Sequence, residues 1–321
     1  MTLDACRAMM DVAVKDYLDH LPRTRLNEPV QYVMQLGGKR MRPALTLLAA
    51  GLYLDDVAVA VKPALAMEVF HNFTLLHDDI MDRAPLRRGQ PTVHEKWNQN
   101  AAILSGDAML IHAYELICQV PTPLISPLLD LFNRTALEVC EGQQLDMDFE
   151  STDAVSHDAY IRMIGLKTSV LLGCSLKTGA LVAGAPASDA DHLYEAGVDL
   201  GIAFQLMDDY LDAFGDAAKV GKMKGGDIVA GKKTYLLIRT LELANGAQLA
   251  NLKSLLKSDD QVAKVDGVLE LYETLGIRKD TEALVNHYHD QALAHIRAVE
   301  LPDQKKSTLT QLADSLLVRQ Y

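Results

Sequence analysis

Apolar residues recur at helical spacing along most of the chain. In one stretch they recur every few positions without an interrupting glycine, as expected for the buried face of a helix: Leu65, Met67, Val69, Phe70, Phe73, Leu76 and Ile80. No run shows the sustained alternation that predicts a strand. The pattern predicts helices over 41–53, 63–82, 93–118, 124–149, 157–183, 188–213, 233–243 and 280–298, with shorter ones near both ends.

Long helices joined by short loops predict an all-α bundle whose binding sites lie between facing helices. No stretch rich in proline, serine or charge divides the chain, so we predict a single domain over residues 1–321. Two loops stand out because they are basic, 83–92 and 215–233, and each follows the acidic end of a predicted helix.

Composition narrows the possible partners. The chain has 321 residues, 49% hydrophobic and 23% charged, with a formal net charge of −12. That charge would be repelled by a phosphate backbone, so we expect no nucleic-acid partner. A smaller polyanion would need local basic clusters or metal ions. The longest uncharged apolar run, 44–54, is too short to span a bilayer, and the N-terminus lacks a signal-peptide pattern, so we expect no transmembrane segment and a cytoplasmic protein.

The motif DDxxD occurs twice, at 78–82 and at 208–212. Residues four apart share one face of a helix, so Asp78 and Asp82 converge, as do Asp208 and Asp212. Like charges at this spacing destabilise an isolated helix, and the helix dipole also disfavours anions at its C-terminal end. Two such clusters in apolar helices therefore indicate a bound cation, and ligands with oxygen alone suit Mg²⁺.

Polar residues upstream lie on the same faces as the aspartates. His71 lies two turns before Asp78, and Glu68 lies one turn before His71. Gln205 precedes Asp208 by three residues. We expect His71 and Gln205 to face the functional site.

The basic residues suggest that the ligand is a pair of diphosphates. The segment Gly37–Pro43 places three cations just before a helix start, where free N–H groups also favour a phosphate. Further cations follow each acidic motif or interrupt an apolar stretch: Arg87, Arg88, Lys167 beside Thr168, Lys222 and Lys232. One diphosphate would be bound by Mg²⁺ and cations together, and the other by cations alone.

The segment 226–233 has the glycine and lysine spacing of a P-loop. However, Lys233 stands where a P-loop needs Ser or Thr to bind Mg²⁺, and 219–225 is not a strand. We therefore reject a nucleotide-binding P-loop.

Five motifs now resemble those of the trans-isoprenyl diphosphate synthases, the polyprenyl synthetase family. In family order they are GGKRMRP, HDDIMDRAPLRRGQPT, GLKT, FQLMDDYLD and GDIVAGKKT, and they span residues 37–234. The resemblance implies an all-α isoprenoid synthase fold around a deep central cavity, usually as a homodimer. It also implies a prenyltransferase that joins isopentenyl diphosphate head to tail (1′-4) to an allylic diphosphate.

The resemblance also assigns roles to individual residues. It implies three Mg²⁺ ions per site, replaceable by Mn²⁺, with Asp78, Asp82 and Asp208 as ligands and Asp79 and Asp212 in support. The residues implied for the allylic diphosphate are Arg87, Lys167, Thr168, Gln205, Lys222 and Lys232. Those implied for isopentenyl diphosphate are Lys39, Arg42, His71 and Arg88. The sequence departs from some family members in its two-residue spacer within the first motif and in lacking a basic C-terminal tail.

Product length depends on the residues just before the first motif. A chain growing from Asp78 along its helix would pass Thr74 and Phe73, about 6–7.5 Å away. In the resembling family, bulky residues at both positions accompany C15 products, and one aromatic at the fifth position before the motif accompanies C20. Phe73 beside Thr74 therefore predicts geranylgeranyl diphosphate in preference to farnesyl diphosphate, made from dimethylallyl, geranyl or farnesyl diphosphate.

Two other readings are compatible with parts of the pattern. A terpene cyclase shares a first DDxxD and a helical fold, but it has no use for a second diphosphate site. A non-catalytic regulatory subunit of a heteromeric synthase could lose acidic residues, but none is missing here.

Overall fold

A computed structural model describes residues 1–152, 154–215 and 225–317. Most of the described residues are helical and very few are in strands, which confirms the all-α prediction. The helices are α1 Leu3–His20, α2 Asn27–Gln35, α3 Met41–Ala50, α4 Val61–Met81, α5 Val93–Lys96, α6 Gln99–Ile117, α7 Thr122–Ser151, α8 His157–Ile164, α9 Val170–Val182, α10 Ala187–Phe214, α11 Gly226–Ala230, α12 Tyr235–Leu243, α13 Gly246–Leu256, α14 Gln261–Thr274, α15 Ile277–Ala298 and α16 Asp303–Leu317. A 3₁₀ turn, Ala58–Ala60, precedes α4, and a π-helical turn, Gly165–Ser169, joins α8 to α9.

The helix predicted over 93–118 is wrong as one element, because two helices occupy it. The first ends at Lys96, and Asn98 then begins α6 with a side-chain oxygen that accepts a hydrogen bond from the N–H of Ala101 at 2.8 Å. Such a cap satisfies an N–H that has no partner within the helix, so it starts a new helix. The periodicity runs through both helices and conceals the break.

The loop predicted over 83–92 contains a small hairpin that the sequence pattern missed. Strand β1, Leu86–Arg87, pairs antiparallel with β2, Gln90–Pro91. The two turn residues Arg88 and Gly89 both have positive φ, 53° and 74°, as a type I′ turn requires. Strands of two residues are too short to show alternation, which explains the omission.

By their contacts the residues divide into two compact units. The first comprises Met1–Arg134, Cys174–Tyr194 and Ala298–Leu309, and the second comprises Thr135–Gly173, Glu195–Arg297 and Thr310–Tyr321. The single domain predicted over 1–321 stays a prediction.

In the first unit, α4 packs against α3 and α6 through buried apolar side chains. The ring of Phe70 meets that of Phe132 edge to face, with centroids 5.0 Å apart. Gly106 lets α6 approach α4 closely, because a Cβ there would lie 2.2 Å from Nε2 of His77. This contact holds α4 in place directly before its acidic motif.

In the second unit, α8 and α10 share an apolar cluster with α12 and α15 that includes Tyr160, Leu206, Tyr235 and Val285. Gly201 of α10 lies against the π-helical turn, since a Cβ there would come within 2.5 Å of Cα of Ser169. The burial of these apolar faces stabilises the helices that carry the second acidic motif and Lys167.

The continuous helical stretch His157–Val182 is the one described segment whose length and composition would allow it to cross a membrane. Its most apolar part is 61% buried within the protein, as is usual for a core helix. It is therefore weak grounds for a membrane span.

Asp199 of α10 gives a testable dependence of stability on pH. Burial, with a smaller contribution from Glu195, raises the pKa of Asp199 to about 7. The folded state therefore disfavours the ionised carboxyl, and stability is lost as the pH rises from about 4 to about 7. We expect Asp199→Asn to raise the free energy of unfolding at pH 8 by about 2 kcal/mol and by less at pH 5.

Urea unfolding at the two pH values measures this difference. The exposed residue Asp259 supplies the control variant Asp259→Asn, which should gain no comparable stability. His295, whose Nε2 lies 4.0 Å from Oδ2 of Asp199, is not substituted in either variant. An equal gain for Asp199→Asn at both pH values would contradict the expected titration.

Candidate active site

The first acidic motif ends α4 with helical geometry. The N–H of Asp82 donates to the carbonyl oxygen of Asp78 at 2.8 Å, so the two residues lie one turn apart on the same face. Asp78 is half-buried and Asp82 is exposed. Asp79 lies on a different face and is buried. Asp78 and Asp82 are therefore the residues of this motif placed to share a cation.

Asp79 is engaged by the hairpin. Its Oδ1 accepts hydrogen bonds from Nε and Nη2 of Arg87, at 3.0 and 2.5 Å. A carboxylate and a guanidinium bonded twice form a strong, directional pair. The pair fixes β1 against the end of α4 and places the next residue, Arg88, in the tight turn.

Arg88 lies against the turn that precedes α3. Gly38 has φ +143°, and a Cβ added there would come within 2.8 Å of Nη2 of Arg88. The absence of a side chain at Gly38 therefore lets this guanidinium approach the backbone. Arg88 and the segment GGKRMRP, which the sequence predicts to bind the same diphosphate, thus meet in the first unit although Gly38 and Arg88 are 50 positions apart.

Arg42 and His71 also meet as predicted for residues of one binding site. Nη1 of Arg42 lies 3.0 Å from Nε2 of His71. Because the guanidinium can only donate, Nε2 accepts and the ring carries its proton on Nδ1. Burial, together with Arg42, Arg88, Arg87 and Arg40, holds the pKa of His71 well below its usual range. His71 is therefore a neutral imidazole with one N–H to donate.

Burial also lowers the pKa of Arg42 to about 10, an effect that Glu68 opposes. Nε of Arg42 is buried and has no hydrogen-bond partner among the described residues. The guanidinium stays charged at neutral pH. A concentrated positive charge with an unpaired donor fits an anionic ligand better than it fits an apolar core.

Arg40, one of the three cations of GGKRMRP, has a buried partner that the sequence did not predict. Its buried guanidinium bonds to Oε1 of Glu68 at 2.5 Å and to the carbonyl of Met34 at 2.9 Å. Asn72 also donates to Oε1 of Glu68, at 3.0 Å. Glu68 thus pairs with Arg40 inside the first unit. The sequence signal for this pair is Glu68 itself, a single glutamate in an apolar helix, because a buried carboxylate needs a cationic partner.

Backbone strain marks the same region. In the described part of the chain, the non-glycine residues with positive φ are all arginines, Arg40, Arg83 and Arg88. This conformation costs about 1–2 kcal/mol for each L-residue with a Cβ, so the surroundings must hold it in place. Such strain is frequent at functional sites.

The remaining predicted residues of the first unit lie on or beside α4. Lys39 is exposed in the turn before α3. Phe73 is 9% exposed, and its ring contacts those of Phe70 and His77 with centroids 5.5 and 4.8 Å apart. The hydroxyl of Thr74 donates to the carbonyl of His71 at 2.8 Å.

The second acidic motif lies in the last turns of α10. Asp208 and Asp212 share a helical face and are half-buried, whereas Asp209 is 3% exposed. Asp209 accepts hydrogen bonds from the hydroxyl of Tyr160 and from Nε2 of Gln205, the latter at 3.3 Å. Gln205, predicted to lie on the same helical face as Asp208, donates to Asp209, four residues on. Burial raises the pKa of Asp209 to about 7, although Lys232 and these hydrogen bonds lower it.

Asp212 connects the motif to the next described segment. Its Oδ2 accepts from the N–H of Asp227 at 2.9 Å, and its carbonyl accepts from the N–H of Gly225 at 2.8 Å. Asp212 therefore bonds to backbone N–H groups at the start of α11. Lys232, which follows α11, is exposed and lowers the pKa of Asp209 through its charge. Lys222 lies outside the described residues.

Lys167 and Thr168 lie in the π-helical turn. A π-turn adds a residue to the helix and redirects its side chains, and it is frequent at functional sites. Gly142 of α7 packs on this turn, since a Cβ there would meet the backbone N of Lys167 at 2.2 Å. Nζ of Lys167 lies 2.6 Å from Oδ2 of Asp146. Both residues are half-buried, so the lysine charge is held in a defined position.

The donor atoms fit Mg²⁺, the ion that the sequence pattern predicts. Each motif presents two carboxylates one turn apart, and these hard oxygen ligands match that ion. Among the described residues, no three His, Cys, Asp or Glu side chains form a group able to hold a metal by themselves. Mg²⁺ usually takes one or two protein carboxylates and completes its shell with water and phosphate oxygens, so two carboxylates at each motif are consistent with it.

Comparison with known proteins identifies the family. The polyprenyl synthetase family model matches residues 23–275. The geranylgeranyl diphosphate synthase of Methanosarcina mazei is 36% identical over 321 residues, covering 97% of this chain and 95% of the relative. A crystal structure of a geranylgeranyl pyrophosphate synthase is 44% identical, with a TM-score of 0.94 and 100% coverage of both chains.

A third relative was crystallised with ligands. The geranylgeranyl pyrophosphate synthase of Corynebacterium glutamicum, in complex with isoprenyl diphosphate and magnesium, is 27% identical with a TM-score of 0.81. It covers 99% of this chain, and this chain covers 97% of it. These similarities confirm the expected isoprenoid synthase fold. Together with the five motifs and the arrangement of the acidic and basic residues, they establish that this chain belongs to the polyprenyl synthetase family.

Proposed function

We propose that this protein makes geranylgeranyl diphosphate by adding isopentenyl diphosphate, head to tail, to an allylic diphosphate. The protein is a short-chain prenyltransferase, and C20 is favoured over C15. The names of one relative similar in sequence and one similar in structure support this product. The pair Phe73 and Thr74, one bulky and one small, supports it independently.

The reaction needs a leaving diphosphate at one substrate and an intact diphosphate at the other. We assign Mg²⁺, three ions per site and replaceable by Mn²⁺, to the allylic diphosphate through Asp78, Asp82 and Asp208. When bound, this ion neutralises the charge that grows on the leaving group. The magnesium in the Corynebacterium enzyme supports the assignment. Asp79 acts in support because it holds Arg87.

Cationic side chains complete the binding of the allylic diphosphate. We assign this role to Arg87, Lys167, Thr168, Gln205, Lys222 and Lys232. Arg87 and Lys167 already bond to Asp79 and Asp146, which fixes their positions before substrate arrives. A guanidinium has five N–H donors, so Arg87 retains donors for phosphate oxygens beyond the two that bond to Asp79.

A metal-free group of donors suits isopentenyl diphosphate, because this substrate must not lose its diphosphate. We assign Lys39, Arg42, His71 and Arg88 to it. The short distances from Arg88 to Gly38 and from Arg42 to His71 support one shared anion site. The neutral His71 would donate through Nδ1. Both anchors hold the C=C bond of one substrate near the allylic carbon of the other, and the departed diphosphate takes the final proton.

We also propose that the protein acts as a homodimer, as its family usually does. On α6, Ile103, Leu104 and Ile111 are 39%, 58% and 62% exposed. Large apolar side chains exposed on one helix favour an interface with another protein surface. Sedimentation equilibrium distinguishes monomer from dimer. The cytoplasmic location predicted from the sequence stays a prediction.

The observation that carries the proposal is the cation cluster of the first unit, in which Arg42, His71 and Arg88 lie near the helix that ends in the first DDxxD motif. The test is release of inorganic diphosphate from farnesyl diphosphate and Mg²⁺, with and without isopentenyl diphosphate. A synthase requires both substrates. A terpene cyclase would release diphosphate from the allylic substrate alone, and a regulatory subunit would release none.

The assignment of separate anchors predicts separate kinetic effects. We expect Arg88→Ala and His71→Ala mainly to raise the KM for isopentenyl diphosphate, by about tenfold or more, because each removes a donor to that anion. Lys167→Ala should instead raise the KM for the allylic diphosphate. Initial rates with each substrate varied in turn measure both constants. If all three variants affect both constants equally, the division between the two anchors is wrong.

A further inference from the structure

Two consecutive lysines with different surroundings follow α11. Lys232 is exposed, and its N–H donates to the carbonyl of Asp227 at 2.9 Å, while the N–H of Asp227 donates to Oδ2 of Asp212 in the second acidic motif at 2.9 Å. Lys233 points to the end of α7. Its Nζ donates to the carbonyl oxygens of Phe149 at 2.5 Å and Glu150 at 3.4 Å, and also to that of Thr152. Lys232 is therefore linked to the second acidic motif through α11, whereas Lys233 bonds to α7.

Two of the three carbonyls, those of Phe149 and Glu150, lie in the last turn of α7, and Thr152 follows its last residue, Ser151. Carbonyls in the last turn of a helix have no N–H partner within the helix, and the helix dipole favours a cation there. An ammonium has three N–H donors, so three carbonyls use all of them. Lys233 therefore has no donor left for a phosphate.

The backbone around Lys232 is fixed from both sides. Its N–H donates to the carbonyl of Asp227 at 2.9 Å, and its carbonyl accepts from the N–H of Thr234 at 3.0 Å. Gly231 before it has φ +67°, which allows the chain to reverse after α11. The position of the Lys232 backbone therefore depends on the contacts that hold α11 and the turn after it.

Side chains from three other positions hold that segment. Asp212 bonds to the N–H of Asp227 at the start of α11, and Lys264 donates to the carbonyl of Val229 near its end at 3.1 Å. Lys233 then joins the turn after α11 to α7. A five-residue helix is not stable by itself, so these bonds determine its position.

We propose that Lys233 is a positioning residue for Lys232, an inference that rests on the allylic-diphosphate role proposed for Lys232 above. By bonding to the carbonyls at the end of α7, Lys233 holds the turn in the one arrangement that places the Lys232 ammonium beside the second acidic motif. Without that bond the turn samples other arrangements, and the allylic diphosphate must order it on binding. Lys233, which stands where a P-loop needs Ser or Thr, thus has its own role in the allylic-diphosphate site.

The test replaces Lys233 by methionine, which keeps an unbranched chain of similar length but removes the donors. We expect the KM for the allylic diphosphate to rise about tenfold, while the KM for isopentenyl diphosphate changes less than about twofold. Lys233→Arg, which can still donate to carbonyls, should keep the KM near the wild-type value and covers the case that the methionine variant does not fold. Lys257→Met, at an exposed position in neither site, is the matched control.

The double variant tests whether Lys233 acts through Lys232. In a Lys232→Ala background, adding Lys233→Met should raise the allylic KM no further, because the positioned group is already absent. A full additional tenfold rise, or equal rises in both KM values, would overturn the positioning role. A merely structural lysine would lower the melting temperature without changing the ratio of the two KM values, which would also overturn it.

The single variants Lys232→Ala and Lys233→Met distinguish an error in the positioning role from an error in the proposed function. If Lys232→Ala alone leaves the allylic KM unchanged, the allylic anchor is wrong, and the positioning role is rejected with it. If Lys232→Ala raises the allylic KM but Lys233→Met does not, only the positioning role is rejected.

Discussion

Replacing Asp78 or Asp208 by alanine is expected to lower kcat by at least about 10³-fold, because each removes a carboxylate assigned to Mg²⁺. The helical bond from Asp82 to Asp78 shows that the first pair shares a face, so loss of either member should also raise the Mg²⁺ concentration needed for half-maximal rate. Asp79→Ala should have a milder effect, since Asp79 is bonded to Arg87 and is not presented with the pair. Rates of diphosphate release at varied Mg²⁺ measure these effects.

The control is Asp19→Ala, which removes an exposed carboxylate from α1 and should leave kcat unchanged. EDTA should abolish the activity of the wild type, and added Mg²⁺ or Mn²⁺ should restore it. Near-wild-type rates in EDTA, or in Asp78→Ala and Asp208→Ala, would contradict the metal assignment.

Replacing Phe73 by alanine is expected to shift the main product from C20 to longer chains. Phe73 lies five residues before Asp78 on α4, about 7.5 Å along the helix axis, where an aromatic ring can stop the growing chain. Its removal opens the space of a phenyl ring, enough for part of another isoprene unit. Thr74→Phe should have the opposite effect and shorten the product towards C15, because it adds a second bulky residue.

Phe70→Ala is the matched control, because Phe70 lies on the same helix, contacts Phe73 and is 1% exposed. It should cost about 3–5 kcal/mol of stability but leave the product distribution unchanged. Chromatography of the dephosphorylated products compares the three variants. An unchanged distribution in Phe73→Ala would mean that another residue limits the chain.

Much of the fold could be predicted because helical periodicity is a local property. The predicted helices over 63–82 and 188–213 match Val61–Met81 and Ala187–Phe214 within about two residues. The failures have local causes that periodicity does not report. A single capping residue, Asn98, divides one helix into two, and strands of two residues around Arg88 and Gly89 carry no alternation.

Residue spacing predicts only part of the candidate active site. Residue spacing correctly groups Asp78 with Asp82, because helix geometry alone determines that relation. Spacing does not determine which partner a buried side chain selects. Glu68 bonds to Arg40 at the start of another helix, and Gln205 bonds to Asp209. Burial excludes water, so each polar group must take the donor or acceptor that packing brings to it, and packing is not local.

Arg40 and Lys233 are two cations whose partners the sequence motifs do not predict. Each stands inside a motif beside a lysine assigned to substrate, yet its charge is used by protein carbonyls and, for Arg40, by Glu68. Sequence alone does not distinguish the roles of two adjacent cations. The structure shows that protein acceptors already bond to the donors of Arg40 and Lys233.

We propose that this enzyme joins two diphosphate substrates and that chain growth stops at C20. Mass spectrometry of the products from isopentenyl diphosphate, farnesyl diphosphate and Mg²⁺, before and after phosphatase treatment, is the decisive test. We expect geranylgeranyl diphosphate, with one inorganic diphosphate released for each five-carbon unit added. A hydrocarbon or alcohol without an added five-carbon unit, or recovery of both substrates unchanged, would contradict it.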